Sequence, residues 1–378
     1  MVLTQVIEKT TDFKQSIQQW LAQADIQING DRPWDIQVHN DQLYSRLIAQ
    51  GNLAVGETYV EGWWDCLQLD ELMARVLSLH GDRPFMNWSL PQLLQAKLTN
   101  LQAPHRAFEV GQVHYDRGNQ LYQAMLDQRM IYSCAYWKNA PDLDAAQQAK
   151  IELICRKLDI QPGMRILDIG CGWGGMAQYI AEHYGVEVVG LTVSKQQAEL
   201  ARERCRALPV DIRLQDYRDI RESFDRIFSV GMFEHVGQKN YRTYLETVRR
   251  CLKDTGRFLL HTIGSNQSQV RTEPWIETYI FPNSMLPSAK QITAAIEDLF
   301  ILEDWHSFGP DYDKTLMAWF YNFNRHWPEL KQIYDESFYR LWKYYLLSCA
   351  GGFRARKNQL WQILLSPTGI RGTYYAPR

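Results

Sequence analysis

The stretch that most constrains this chain is Met164-Arg165-Ile166-Leu167-Asp168-Ile169-Gly170-Cys171-Gly172-Trp173-Gly174-Gly175. An apolar strand runs into an acid and a glycine-rich turn, and a helix-forming segment follows. Such a turn needs backbone conformations that glycine adopts at little steric cost. With no Cβ in the way, a nucleotide-like ligand can approach the main chain closely. The Asp-x-Gly-x-Gly-x-Gly spacing suits S-adenosylmethionine better than a dinucleotide. With no phosphate to hold, the turn can offer Asp168 to the cationic methionine end. A nicotinamide-binding Rossmann turn is the competing reading.

Downstream, strand and helix patterns alternate. Residues 186–191, 211–214, 224–230 and 257–261 are short β-branched or aromatic runs, and 194–208 is helical. The pattern predicts an α/β fold with a mostly parallel sheet. Ligands of such sheets lie beyond the carboxyl ends of the strands. That rule gathers 168–174, 191–197, 215–217, 231–235 and 261–264 around one site. Upstream, residues 1–100 read as a small, mainly helical N-terminal domain, with helical spacing in 13–24, 41–50 and 69–79 and a short strand at 34–38. Residues 101–112 read as a linker and 113–378 as the catalytic domain, and Pro84, Pro91 and Pro104 punctuate the connection. Gly56, Gly62, Trp63 and Trp64 crowd one short run. It reads as a tight turn whose indoles plug a small core, or as an interdomain or lipid-facing contact.

A length of 378 residues suits about two domains, and 46% hydrophobic with 22% charged residues is ordinary for a globular protein with a full core. The aromatic share of 12% suits a core equally well as a site for cations or apolar chains. The net charge of −2 hides an asymmetry: residues 1–100 hold 12 acidic and 7 basic side chains, whereas no acid follows Arg340. The basic, aromatic tail can meet anionic lipid or nucleic acid, and a solvated helix face explains it as well. The seven cysteines show no metal-ligand spacing, which points to reduced thiols in the cytoplasm and to no metal site. No apolar run approaches the roughly 20 residues of a membrane-spanning helix, so membrane contact is expected to be peripheral.

Several single residues carry a functional reading beside a structural one. Ser194 and Gln197 form Ser-x-x-Gln, a capping box that would start a helix by itself. The usual ribose acid at the end of the second strand is missing, and Gly190-Leu191-Thr192 stands there, which raises Thr192 and Gln197 as ribose contacts. Asp216 can accept from an adenine amine and Tyr217 can pack on the ring, or the pair can be an ordinary Asp turn. Glu234 and His235 follow a strand, His261 ends another, and Tyr312 sits between two acids. Small polar residues between aromatics in Tyr132-Ser133-Cys134-Ala135-Tyr136-Trp137 resemble the wall of a site.

Taken together, these segments resemble the bacterial cyclopropane-fatty-acyl-phospholipid synthase family, full-length type with an N-terminal domain. The matching stretches include 56–64, 114–119, 132–137, 167–175, 190–197, 215–219, 231–237, 261–264, 274–282, 304–319 and 349–361. The resemblance implies a Rossmann-like class I methyltransferase domain. It further implies methylene transfer from S-adenosylmethionine to the cis double bond of an unsaturated acyl chain in a phospholipid. The base is implied to be a bound bicarbonate, caged by Glu234, His261 and Tyr312 with the main chain at Cys134 and Ile263. Cofactor contacts are implied at Tyr115, Tyr132, Ser133, Asp168, Gly170, Gly172, Thr192, Gln197, Asp216 and Tyr217. The partners implied are phospholipid of the inner leaflet, reached peripherally through the basic tail and a channel along 305–327, and a second copy in a homodimer, with no nucleic acid. Tyr136, Tyr241 and Tyr279 are candidate faces for a cationic centre, and Cys349 reads as non-catalytic. Lipid C-methylation without ring closure and a non-enzymatic lipid binder are the alternatives.

Overall fold

The computed structural model describes residues 13–79 and 118–378. In the N-terminal part, helix α1 (Asn52–Val60) lies between the two strands of a short ladder, Gln37–Val38 with Trp64–Asp65, and α2 (Leu69–Ser78) follows it. Helix α3 (Leu143–Leu158) then leads into β1 (Arg165–Ile169), α4 (Gly175–Tyr184), β2 (Glu187–Thr192), α5 (Lys195–Cys205) and β3 (Val210–Leu214). Next come β4 (Phe224–Val230), α6 (Tyr241–Cys251), β5 (Leu252–Ser265), α7 (Pro274–Tyr279) and β6 (Ile301–Ser307). Two long helices, α8 (Pro310–Leu330) and α9 (Glu336–Arg354), precede the last strand, β7 (Asn358–Ser366).

The seven strands lie in the order β3-β2-β1-β4-β5-β7-β6. The first five are parallel, and β7 is antiparallel to both β5 and β6. The mostly parallel sheet is as expected; β7 alone runs against the others, and β6 beyond it runs with them. Chain order reverses between β1 and β4, the switch point at which such sheets open a ligand crevice. The pleat explains the strand sequences. Leu167 and Ile169 join the core under α6, while Ile166, one residue before Leu167 and so on the opposite face, joins the core under α3 and α4. Buried on both faces, the central strands carry apolar runs such as Ile166-Leu167 and Ile227-Phe228.

The N-terminal helices share one apolar core with α9, in which Tyr59, Leu69 and Leu72 meet Tyr344, Leu347 and Phe353. Two sequence expectations change here. The run divides: α1 passes straight through Gly56, where a Cβ would stand 2.4 Å from the Trp275 indole, whereas the tight turn comes at Glu61 and Gly62, with Gly62 at φ +76°, and Trp64 is buried in the core. Gly56 therefore lets the helix lie directly on Trp275, and tertiary packing outweighs its poor helix propensity. Three of the seven basic side chains of the tail are also spoken for. Arg340 pairs with Asp65, Arg354 with Asp70, Glu71 and Asp313, and Arg378 with Asp304. The acidic N-terminal part and the acid-free C-terminal part thus neutralise each other inside the fold, and those arginines are not available as a lipid-binding face. No described helix is long and apolar enough to cross a membrane.

Candidate active site

The glycine turn after β1 opens the site. Gly170 and Gly172 have φ of +90° and +55°, which other residues resist. A Cβ on Gly170 would come 2.8 Å from Met232 at the end of β4, whereas one on Gly172 would meet nothing within 4 Å. The main chain at Gly172 therefore faces open space. That space is a cavity bounded by the ends of β1, β2, β3 and β4 and by the loop 130–133. Tyr132, Ser133, Asp168, Gly170, Gly172, Thr192, Gln197, Asp216 and Tyr217 all line it. Tyr115 lies outside the described residues.

Each wall has a local cause. Ser194 caps α5 by accepting from the Gln197 amide at 3.3 Å. The Gln197 side chain does not complete the box. Its oxygen accepts instead from the Thr192 hydroxyl at 2.8 Å, and both side chains line the cavity. Asp216 does form the ordinary turn: it accepts from the Arg218 amide and guanidinium, both at 2.8 Å, while lining the same cavity.

The loop before α3 is held by buried polar groups. Asp127 accepts from the Arg129 and Ile131 amides at 3.0 and 2.8 Å. Gln147 donates to the carbonyls of Ile131 and Ser133, and Lys150 donates to the Ser133 hydroxyl at 2.7 Å. Thr315 and Asp311 of α8 receive the amides of Ala135 and Trp137 at 3.1 and 2.8 Å. Sequence reasoning missed Lys150. The available signal was its place four residues from both Ala146 and Ile154, on the apolar face of α3. Burial pushes the Asp168 carboxyl up to about 8, with Lys150 pulling it back, and pushes Lys150 down to about 8.

Behind the cavity, at the ends of β4 and β5, lies a second centre. Glu234 sits in a short 3-10 turn and is 5% exposed. Its Oε1 accepts from the Ile263 amide at 2.7 Å, and its Oε2 is buried without a hydrogen-bond partner. The Ile263 amide thus acts first on Glu234. Burial raises the Glu234 carboxyl to about 7, against the pull of that amide. His261 is 1% exposed and is held well below the usual imidazole range by burial, then by Lys150, Lys157 and His306. The Gln362 amide lies 3.3 Å from His261 Nδ1, and Nε2 is buried without a partner. With Gln362 as donor, the neutral ring carries its proton on Nε2.

Tyr312, on the first turn of α8, stacks on Phe353 at 4.5 Å between ring centres. Glu234, Cys134 and Tyr132 all act on its hydroxyl through space, so these groups converge. The Cys134 thiol is spent on the Ala135 carbonyl at 3.2 Å, and burial raises it far above a reactive range. Burial likewise pushes the Cys349 thiol up to about 12, which makes a poor nucleophile.

The aromatic surround differs from expectation. Tyr279 donates to Glu57 at 2.7 Å and Tyr136 packs on His306 and Phe308, whereas Tyr241 stacks on Phe233 at 4.2 Å and feels Glu234 through space. The rings around Tyr132 are instead Trp319 at 5.1 Å, Tyr122 at 5.3 Å and Phe281 at 6.3 Å, with the Tyr345 hydroxyl 2.7 Å from that of Tyr132. The 305–327 run divides: Trp305 packs on Trp361 in the sheet, and Trp319 alone of its tryptophans reaches Tyr132.

Comparison with known proteins agrees with this arrangement. The family model for mycolic acid cyclopropane synthetase matches residues 102–363. The chain is 53% identical over 348 residues to the cyclopropane-fatty-acyl-phospholipid synthase of Escherichia coli (strain K12), covering 92% of this chain and 91% of that one. Among solved structures it is similar to the cyclopropane synthase MmaA2 from Mycobacterium tuberculosis, at 33% identity and a TM-score of 0.66, covering 70% of this chain and 99% of that one. It is also similar to the mycolic acid cyclopropane synthase CmaA1 complexed with SAH and CTAB, at 33% identity and a TM-score of 0.63, covering 68% and 97%. On its fold, its site and these matches, the chain belongs to the mycolic acid cyclopropane synthetase family.

Proposed function

We propose that this chain transfers a methylene unit from S-adenosylmethionine to the cis double bond of an unsaturated acyl chain in a phospholipid, closing a cyclopropane ring. The observation that carries this reading is the pairing of two unlike sites. A cavity suited to an adenosyl donor opens on one side, and behind it lies a buried acceptor and donor, Glu234 Oε2 and His261 Nε2, each lacking a partner. A buried polar atom without a partner costs about 1–3 kcal/mol, so the pair favours a small polar occupant. Bicarbonate fits: it offers a hydroxyl to Glu234 and an oxygen to His261, and when bound it supplies the base. Phospholipid synthesis of this kind is what the E. coli relative is named for.

The residues then divide the work. Asp168 and the turn main chain hold the methionine end, Thr192 and Gln197 take ribose hydroxyls, and Asp216 with Tyr217 borders the adenine. Glu234, ionised, holds the hydroxyl of the base in one orientation, and neutral His261 donates from Nε2. Tyr312 adds a hydroxyl. Tyr132, Trp319 and Phe281 exclude water and present ring faces to a developing cation, worth about 0.5–2 kcal/mol per ring. The N-terminal helices brace this wall, since Glu57 and Gly56 of α1 meet Tyr279 and Trp275. The protein works on the membrane surface peripherally, as a homodimer, with the N-terminal part supporting lipid docking or the dimer.

The reading is tested by incubating the protein with S-adenosylmethionine, bicarbonate and vesicles of cis-unsaturated phospholipid, then weighing the acyl chains. A methylene gain with loss of the double bond supports it. A methyl gain with the double bond retained points to C-methylation, and unchanged lipid beside well-bound donor defeats both.

A further inference from the structure

Strand β7 carries one side chain that its surroundings do not call for. In Leu360-Trp361-Gln362-Ile363-Leu364-Leu365 every residue is hydrophobic except Gln362, which is 0% exposed. The ladders set it directly opposite His261 of β5 on one side and His306 of β6 on the other. Leu259 and Leu364, two residues along the same strands, join the core under α3, so His261, Gln362 and His306 share that face of the sheet. The Gln362 amide nitrogen lies 3.3 Å from His261 Nδ1, and its Oε1 is buried without a partner. The contact with His261 is the one hydrogen bond this side chain makes among the described residues. A leucine or methionine would fill the same space without burying an amide, so packing does not account for a glutamine there.

We propose that Gln362 is a positioning residue for the base: it holds the His261 ring in place and in the tautomer that donates from Nε2. The inference rests on the bicarbonate reading above. An amide nitrogen only donates, so the ring nitrogen beside it accepts. Burial, then Lys150 and Lys157, hold the ring neutral, and a neutral ring carries a single proton. That proton is left to Nε2, the buried nitrogen without a partner. Glu234 Oε2 and His261 Nε2 then make one acceptor and one donor, the complement of an anion that bears a hydroxyl and free oxygens. With the proton on Nδ1 the same two atoms would both be acceptors and would repel that anion.

The test reads the ring directly. In the full chain labelled with nitrogen-15 in its imidazoles, the His261 signals are assigned by their loss in His261→Gln. Wild type shows the proton on Nε2, and in Gln362→Met the Nδ1 signal shifts as that nitrogen loses its donor. Ring formation is then followed against added bicarbonate in carbonate-depleted buffer. The bicarbonate needed for half-maximal rate rises about three- to tenfold in Gln362→Met, as the loss of one hydrogen bond implies. Donor affinity by calorimetry and the KM for lipid stay within about twofold. A proton on Nδ1 in wild type overturns the inference, and that measurement stands even where the variant does not fold. An unchanged bicarbonate response in Gln362→Met, or an equal loss of donor affinity, overturns it too. Wild-type ring formation that ignores bicarbonate would overturn the choice of bicarbonate instead, and the tautomer would still decide the part played by Gln362.

Discussion

Around the turn after β1 the site is made largely of main chain: positive-φ glycines, an open face at Gly172, and side chains whose hydrogen bonds are mostly met by neighbours. At the ends of β4 and β5, one layer behind, it is made of buried ionisable side chains, and two of their polar atoms have no partner. The difference teaches how the work is divided. The first region needs shape and closeness to the backbone, which glycine provides. The second needs protonation states set by burial, which only side chains in a dry core provide. Damage to one should leave the other largely intact.

The largest expected break is Glu234→Gln. It keeps the shape but cannot accept a hydroxyl with full charge, so ring formation should fall about 10²–10⁴-fold in product analysis by mass spectrometry. The converse is Gly170→Ala, which puts a Cβ 2.8 Å from Met232 at a φ of +90°. Donor affinity by calorimetry should fall about tenfold or more from roughly 1–2 kcal/mol of strain, with ring formation recovered at saturating donor.

A third test uses pH. Glu234 titrates at about 7 in the fold, above its ordinary range near 4.5. The folded state then holds a proton that the unfolded chain has lost, so stability from this group is full below 4.5 and is lost as pH rises through 7. Between those limits the wild type should lose about 3 kcal/mol relative to Glu234→Gln in denaturant unfolding. Activity should rise with pH over the same window, because the ionised carboxylate is the working form. The smallest effect is Thr192→Ala, which frees the Gln197 side chain from a 2.8 Å bond and should weaken donor binding by a few fold, about 1 kcal/mol.

Much of the first region was legible in the sequence because it is local. Asp168 to Gly174 is seven consecutive residues, and the strand-end rule gathered Thr192, Asp216 and Met232's neighbours from strand patterns alone. What was not legible depends on distant partners. Gly56 looks like a turn until Trp275 is placed against it. The acid-free tail looks like a lipid contact until Asp65, Asp70 and Glu71 are found beside Arg340 and Arg354. Lys150 looks like a helix-surface lysine unless its place on the apolar face of α3 is weighed. The apolar run 358–366 is β7, fully covered inside the sheet, where the same residues had been read only as a basic, aromatic tail. The strand-end rule gathered Glu234 and His261, and family resemblance gave them and Tyr312 their roles; the burial of all three and the missing partners of Glu234 and His261 came only from the structure.

The division between the two regions is tested most directly by measuring S-adenosylmethionine binding and cyclopropane product on one preparation of Glu234→Gln. The donor should bind within about twofold of wild type while ring product is lost. Loss of binding together with loss of product, or full ring formation with binding intact, would contradict it.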